Sequence, residues 1–152
     1  MKLAYCLAFG LLTTAILAPA AQEKPAEKKV ATRTLKVKLN YTGSGQVDDK
    51  HRIFLFVFDS PDFVQGNVMP IGAASASAKD ETVVFSDLTQ SPVYVVATYD
   101  PAGNYDGQSG PPPSGSSMGM YMKTPGTPEP VKIEPGETVQ IEMIFDDSFK
   151  MP

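Results

Sequence analysis

Three oxygen-bearing side chains, Asp100, Asn104 and Asp106, stand close together in a long segment rich in glycine and proline. Carboxylate and amide oxygens, with the carbonyls of neighbouring glycines, are ligands that Ca²⁺ prefers. The spacing departs from an EF-hand, because the sixth position counted from Asp100 is Tyr105 instead of glycine. The same residue types also build turns, with Asn104 left-handed. Both a Ca²⁺ site and plain turns are open, and turns are favoured; no cofactor other than a metal ion is predicted.

Methionines alternate along the end of this segment, at Met118, Met120 and Met122. On a strand their three thioethers would share one face, and soft sulfur ligands suit Cu(I), with Met69 as a further ligand. Methionine also fills irregular core faces. Core packing is the favoured interpretation, and a Cu(I) site is the alternative.

A nucleophile motif, G-x-S-x-G, matches residues 115–119. That motif requires a strand, a sharp turn and a helix, with an Asp and a His after the serine. No helical pattern follows here, and the sole histidine, His51, precedes the motif. We therefore predict no catalytic residue and a protein that is not an enzyme. A hydrolase is the minority alternative, and it needs Ser116 or Ser117 within hydrogen-bond reach of His51.

Residues 110–115, G-P-P-P-S-G, favour polyproline II and offer few donors to a strand. Stiffening of a long loop is the favoured interpretation of such a run, and docking in the aromatic groove of a partner is the alternative. Long loops inside small domains are commonly functional. We predict that residues 100–122 are the interaction site of a binding or structural module.

The segments on both sides of this loop have the period of β-strands. Residues 35–41 alternate apolar and polar side chains, which predicts a strand with one buried face. Residues 53–58, I-F-L-F-V-F, contain no polar side chain. This predicts a strand covered on both faces, or one that presents an aromatic stripe.

Further strands are predicted at residues 82–85 and 93–99, on the amino-terminal side of the loop. After the loop, residues 131–133 and 138–145 flank Glu-Pro-Gly-Glu, a turn sequence, and are predicted to form a hairpin. No segment has a sustained helical period. We predict an all-β fold, an antiparallel β-sandwich of about seven strands over residues 32–150.

The first twenty residues have the pattern of a signal peptide: a lysine, an apolar run and then Ala-Pro-Ala. Residues 21–31 are charged and are predicted to be a flexible tether. The sequence's one cysteine, Cys6, lies within the signal. We expect a protein without a membrane span in its mature form that is secreted or periplasmic.

Composition narrows the classes of partner. Seventeen Asp and Glu against thirteen Lys and Arg give a net charge of −4, and the acidic residues are scattered. Nucleic-acid binding calls for a basic face, so no nucleic acid is predicted as a ligand. The expected partner is another exported or cell-surface protein.

Residues 83–107 read V-V-F-S-D-L-T-Q-S-P-V-Y-V-V-A-T-Y-D-P-A-G-N-Y-D-G. This stretch resembles the transthyretin-like (prealbumin-like) sandwiches, which include carboxypeptidase regulatory-like domains. It is also similar to a bacterial exported family of unknown function with F-x-D-L-P-x-G-x-Y-A before H-D-x-N-G-N-G-x-L-D. Thr89 and Ser91-Pro92 depart from that family's Pro and Gly, and Tyr99 from its His.

The resemblance implies a transthyretin-like fold and a module that is mostly non-catalytic. Transthyretin-like enzymes that hydrolyse ureide rings depend on several His and Arg residues. This sequence has one histidine and only Arg33 and Arg52. The resemblance therefore does not extend to that activity.

Overall fold

Seven strands and one 3-10 turn make up the regular structure of the computed structural model, which describes residues 32–66 and 68–152. The predicted signal peptide and tether, residues 1–31, lie outside the described residues. The strands are β1 Arg33–Tyr41, β2 Ile53–Phe58, β3 Gly72–Ala76, β4 Thr82–Leu88, β5 Tyr94–Tyr99, β6 Ser117–Met120 and β7 Thr138–Phe145, and the 3-10 turn is Pro61–Gln65. Within these ranges no helix is long and apolar enough to span a bilayer.

The strands form two sheets. One has three strands in the order β4-β1-β7, and the other has four in the order β3-β2-β5-β6. The buried apolar side chains of both sheets form one core cluster. On β1 the residues predicted to face inward are buried: Leu35, Val37, Leu39 and Tyr41. The prediction of an all-β fold with about seven strands is confirmed.

The pairing of β1 with β7 corrects one part of that prediction. These strands are parallel, in register from Thr34 opposite Thr138 to Tyr41 opposite Phe145. A purely antiparallel sandwich is therefore wrong. Parallel pairing gives β7 an eight-residue ladder with β1, and Ile141, Met143 and Phe145 of β7 lie in the core.

The hairpin predicted around residues 134–137 is also wrong, although its turn is present. The N–H of Glu137 donates to the carbonyl of Glu134 over 3.0 Å, and Gly136 has a φ of 83°. Instead of pairing with β7, however, Val131 pairs with Val93. Residues 131–133 are too short to give β7 as many backbone hydrogen bonds as the nine-residue strand β1 gives it.

The outer face of β2 carries three phenylalanines, and aromatic rings from other segments cover it. Tyr105 meets Phe54 edge-on at 5.2 Å between ring centroids. Phe63, in the 3-10 turn, stacks on Phe58 at 4.9 Å. Phe56 is buried between them. The prediction that both faces of this strand are covered is confirmed, and the long loop supplies part of the cover.

Aromatic rings also close the core at the end where this loop begins. Tyr41, at the end of β1, lies 5.0 Å from Tyr99 and 4.9 Å from Phe145 between ring centroids. The hydroxyl of Tyr99 donates to the carbonyl of Gln46 over 2.9 Å. This end of the sandwich therefore gives a rigid base to the loops above it.

Candidate functional site

The long loop begins with a turn organised by Asp100, whose side chain is buried. One carboxylate oxygen accepts the N–H of Ala102 over 2.9 Å. The other accepts the N–H groups of Asn104 and Tyr105 over 2.7 and 3.0 Å. The left-handed residue of this turn is Gly103, with a φ of 65°, and not Asn104 as predicted. The carboxylate thus fixes the direction in which the loop leaves β5.

Gly103 also lies against the connection between β1 and β2. A Cβ at this position would come within 2.9 Å of both the carbonyl oxygen of Lys50 and the ring of His51. That ring makes a 2.9 Å contact, through Nδ1, with the carboxylate of Asp48. The first turn of the loop is therefore packed against a neighbouring loop.

The middle of the loop is anchored by Tyr105. Its ring is half-buried on Phe54, and its hydroxyl donates to the carbonyl of Gly110 over 3.1 Å. Burial raises the pKa of the phenol. Gly107 follows with a φ of 75°, and a Cβ there would lie 2.5 Å from the Phe54 ring. Only glycine allows so close an approach to the sheet.

Asp106 organises a second turn at the surface. One carboxylate oxygen accepts the N–H groups of Gln108 and Ser109, each over 2.8 Å. The Ser109 hydroxyl donates to the other oxygen. Together these hydrogen bonds, led by that of the hydroxyl, lower the pKa of Asp106 to about 2. Although the Asp106 carboxylate is exposed, both of its oxygens already accept hydrogen bonds from its own turn.

The structure thus places the three predicted Ca²⁺ ligands on successive turns, where both aspartates accept backbone N–H groups. Across residues 32–66 and 68–152, no three His, Cys, Asp or Glu side chains are grouped to hold a metal ion. Binding of Ca²⁺ by Asp100, Asn104 and Asp106 stays a prediction.

The proline segment, residues 110–115, is largely exposed to solvent. Pro111 and Pro113 are exposed and Pro112 is half-buried. Its first residue is held by the Tyr105 hydroxyl. Near its other end, the carbonyl of Pro113 accepts the N–H of Ser116 over 3.1 Å. A short, exposed proline run is therefore held from both sides.

The serines of the nucleophile motif lie beneath this segment, and both are fully buried. The hydroxyl of Ser117 donates to Asp147 over 2.6 Å and accepts from the Nζ of Lys150 over 2.8 Å. His51 bonds to Asp48 instead. The hydroxyl of Ser116 has no partner among the described residues. The motif thus contributes to a packed polar cluster.

Asp147 is the centre of that cluster. Besides Ser117, its carboxylate accepts the hydroxyl of Tyr41 over 2.5 Å and the N–H and hydroxyl of Ser44 over 2.9 and 3.1 Å. Lys150 lies 3.4 Å away. Burial alone would raise the pKa of this carboxyl, but the hydrogen bonds from Ser117, Tyr41 and Ser44 hold it well below its usual range. We call these five residues the Asp147 cluster.

The methionines divide into two groups. Met118 and Met120 lie opposite Thr98 and Val96 on β5, so they share the outer face of the four-stranded sheet. Met122 lies beyond the end of β6, and its sulfur accepts the N–H of Gly126 over 3.4 Å. Met69 is 82% exposed. A Cu(I) site at Met118, Met120 and Met122 stays a prediction.

Sequence reasoning missed the Asp147 cluster and the strand pairing beside it. Asp147 follows β7 in an Asp-Asp-Ser stretch that is typical of any turn. Its partners are distant in sequence, at Tyr41, Ser44 and Ser117. One signal was available, since the G-x-S-x-G match marked Ser117.

Comparison of this chain with protein-family models, with curated proteins and with solved structures found no match.

Proposed function

We propose that this protein is an exported, non-catalytic β-sandwich module of transthyretin-like type that presents its proline segment to the aromatic groove of a partner protein. Proline-rich segments bind such grooves because proline restricts φ before binding, so little conformational entropy is lost. Export rests on the signal pattern of residues 1–20. The transthyretin-like assignment rests on the sequence resemblance of residues 83–107.

The observation that carries the proposal is that an exposed proline run is fixed at both ends. Tyr105 connects the segment to the outer face of β2, and Ser116 connects it to the start of β6. Exposure of Pro111 and Pro113 leaves their rings free for a partner. Rigidity before binding raises affinity, because less ordering cost is paid when the complex forms.

The geometry of the serine motif supports a module without catalytic activity. A nucleophile has to reach its substrate, and the Ser117 side chain is fully buried. Its hydroxyl also donates to a carboxylate that accepts several other hydrogen bonds. These contacts stabilise the loop base and leave no open approach to the hydroxyl.

Photo-crosslinking in cells that produce the protein tests the proposal. A benzoyl-phenylalanine at position 112 should give a discrete adduct with an exported or surface protein. The same group at Val84, exposed on the three-stranded sheet, should not give that adduct. No adduct at position 112, or identical adducts at both positions, would refute a binding role for the proline segment.

A second variant tests whether the order of the loop matters. Tyr105→Phe removes the hydroxyl that bonds to Gly110 and keeps the ring on Phe54. The adduct at position 112 should become weaker, because the segment loses the hydrogen bond that holds its first residue. An adduct of unchanged yield would show that the partner binds the prolines whether or not the segment is held rigidly.

A further inference from the structure

The outer edge of β6 is occupied by residues 149–151, which we call the edge segment. Ser117 and Lys150 form an antiparallel bridge. Met118 N–H donates to the carbonyl of Phe149 over 3.0 Å, and the N–H of Met151 donates to the carbonyl of Ser116 over 2.9 Å. The edge segment thus pairs with the edge of the four-stranded sheet through a single bridge and its flanking hydrogen bonds.

The side chains of the edge segment alternate. The central one, Lys150, points to the Asp147 cluster and donates to the hydroxyl of Ser117 over 2.8 Å. Phe149 is 58% exposed, so its ring is only partly covered. The β6 edge therefore holds an extended segment by its backbone and by one central cation.

This pairing is shallow. The edge segment makes only three backbone hydrogen bonds to residues 115–118. Just before it, the chain crosses from the three-stranded sheet to the four-stranded one, and Asp147 is fixed at the crossing by Tyr41 and Ser44. Short exposed strands open locally at far lower cost than the core unfolds. The edge segment is therefore able to leave while the Asp147 carboxylate stays in place.

We propose that the edge of β6 is a strand-addition site for an extended segment of a partner protein with one basic residue between two apolar residues. In this structure the chain's own Phe149-Lys150-Met151 occupies the site. Backbone pairing would supply affinity, and the basic side chain would be selected by the Ser117 hydroxyl and the Asp147 carboxylate. With a side chain 28% exposed, Asp147 is reachable by such a cation.

The site is distinct from the exposed proline rings, since it uses the backbone edge of residues 115–118 and the Asp147 cluster. It stands whether or not the proline segment binds a partner. The chain's own segment competes at a high effective concentration. A partner segment is therefore expected to bind measurably only when the edge segment is loosened.

Peptide binding to the full chain with a loosened edge segment tests the proposal. Met151→Pro removes the N–H that bonds to Ser116, and proline accepts an extended residue before it. Met151→Ala keeps that N–H and is the matched control. The probe is a fluorescein-labelled peptide with the sequence of residues 146–152, and a second probe has glutamate at the position of Lys150.

In Met151→Pro, the Met118 amide should exchange at least ~10-fold faster than in the control, which reports release of the edge segment. The lysine peptide should bind Met151→Pro at least ~10-fold more tightly than it binds Met151→Ala, and the glutamate peptide should bind at least ~10-fold more weakly than the lysine peptide. The proposal would be overturned if the Met118 amide exchanged at an unchanged rate in Met151→Pro. It would also be overturned if that amide exchanged faster but no peptide bound, or if both peptides bound with equal affinity. Dimerisation of Met151→Pro without peptide binding would assign the edge to a second copy and overturn the proposed partner.

Discussion

The hydroxyl of Tyr41, the last residue of β1, donates a 2.5 Å hydrogen bond to the carboxylate of Asp147, two residues after the end of β7. The same carboxylate accepts the hydroxyl of Ser117 at the start of β6. One side chain therefore links both sheets and fixes the end of the long loop.

Asp147→Asn should lower the free energy of unfolding by about 1 to 3 kcal/mol at neutral pH, because hydrogen bonds to a charged acceptor are lost. The pKa of Asp147 lies below its ordinary value of 3.8 in the folded protein. The charged Asp147 carboxylate therefore makes its full contribution to the free energy of unfolding above pH 3.8. This contribution is lost as the pH falls through the pKa of the folded state. The difference between wild type and variant, measured by urea unfolding, should shrink below about pH 4.

The neighbouring variant Asp146→Asn is the control for this measurement. Asp146 is exposed, and its hydrogen bonds go to Ser148 alone. Its replacement should leave the free energy of unfolding nearly unchanged, because an exposed carboxylate that bonds only within its own turn contributes little. The role given to Asp147 would be contradicted if both variants lost the same free energy of unfolding. It would also be contradicted if the difference in that free energy between wild type and Asp147→Asn stayed constant down to pH 2.

The two buried serines should respond in opposite ways to alanine. Ser117→Ala removes one hydrogen-bond donor to the Asp147 carboxylate and the hydroxyl that accepts from Lys150, and it should cost about 1 to 3 kcal/mol. Ser116→Ala removes a hydroxyl that has no partner among the described residues, so stability should stay the same or rise. Thermal unfolding of both variants checks this. A larger loss for Ser116→Ala would show that its hydroxyl is satisfied in solution.

Gly107→Ala should destabilise the protein more than Gly110→Ala. Both glycines have positive φ, at 75° and 102°, so alanine strains the backbone in each case. That strain costs about 1 kcal/mol. At Gly107 the new Cβ also meets the ring of Phe54 at 2.5 Å, whereas nothing lies within 4 Å at Gly110. Equal melting temperatures would contradict the packing of the loop on β2.

Ser109→Ala should raise the pKa of Asp106 from about 2 toward its ordinary value of 3.8. The hydroxyl of Ser109 is the strongest of the donors that stabilise this carboxylate in its charged form. An NMR titration of the Asp106 side chain measures the change. An unchanged pKa would mean that the second turn of the loop does not form in solution as described.

Local sequence patterns predicted the strand faces well. Period-two alternation located the buried residues of β1, and the all-apolar β2 predicted a strand covered on both faces. These predictions succeed because side-chain direction in a strand depends only on position along it. The turn at Asp100 was likewise readable from residue type.

Long-range pairing was not predictable in the same way. A parallel β1–β7 ladder depends on the path of the whole chain, and the turn at residues 134–137 suggested a local hairpin instead. The edge segment is too short to show a period. Asp147 acquires its role only when Tyr41 and Ser117, distant in sequence, are brought beside it.

The proposed binding role depends on a proline segment that is held rigidly before any partner binds. Backbone ¹⁵N relaxation of Gly110, Ser114, Gly115 and Ser116 measures this most directly, with the β5 amides as an internal reference. We expect order parameters near ~0.85 for all four amides, as in a rigid backbone. Values below about 0.6 for Gly110, Ser114 and Gly115 would show a flexible loop and contradict the claim.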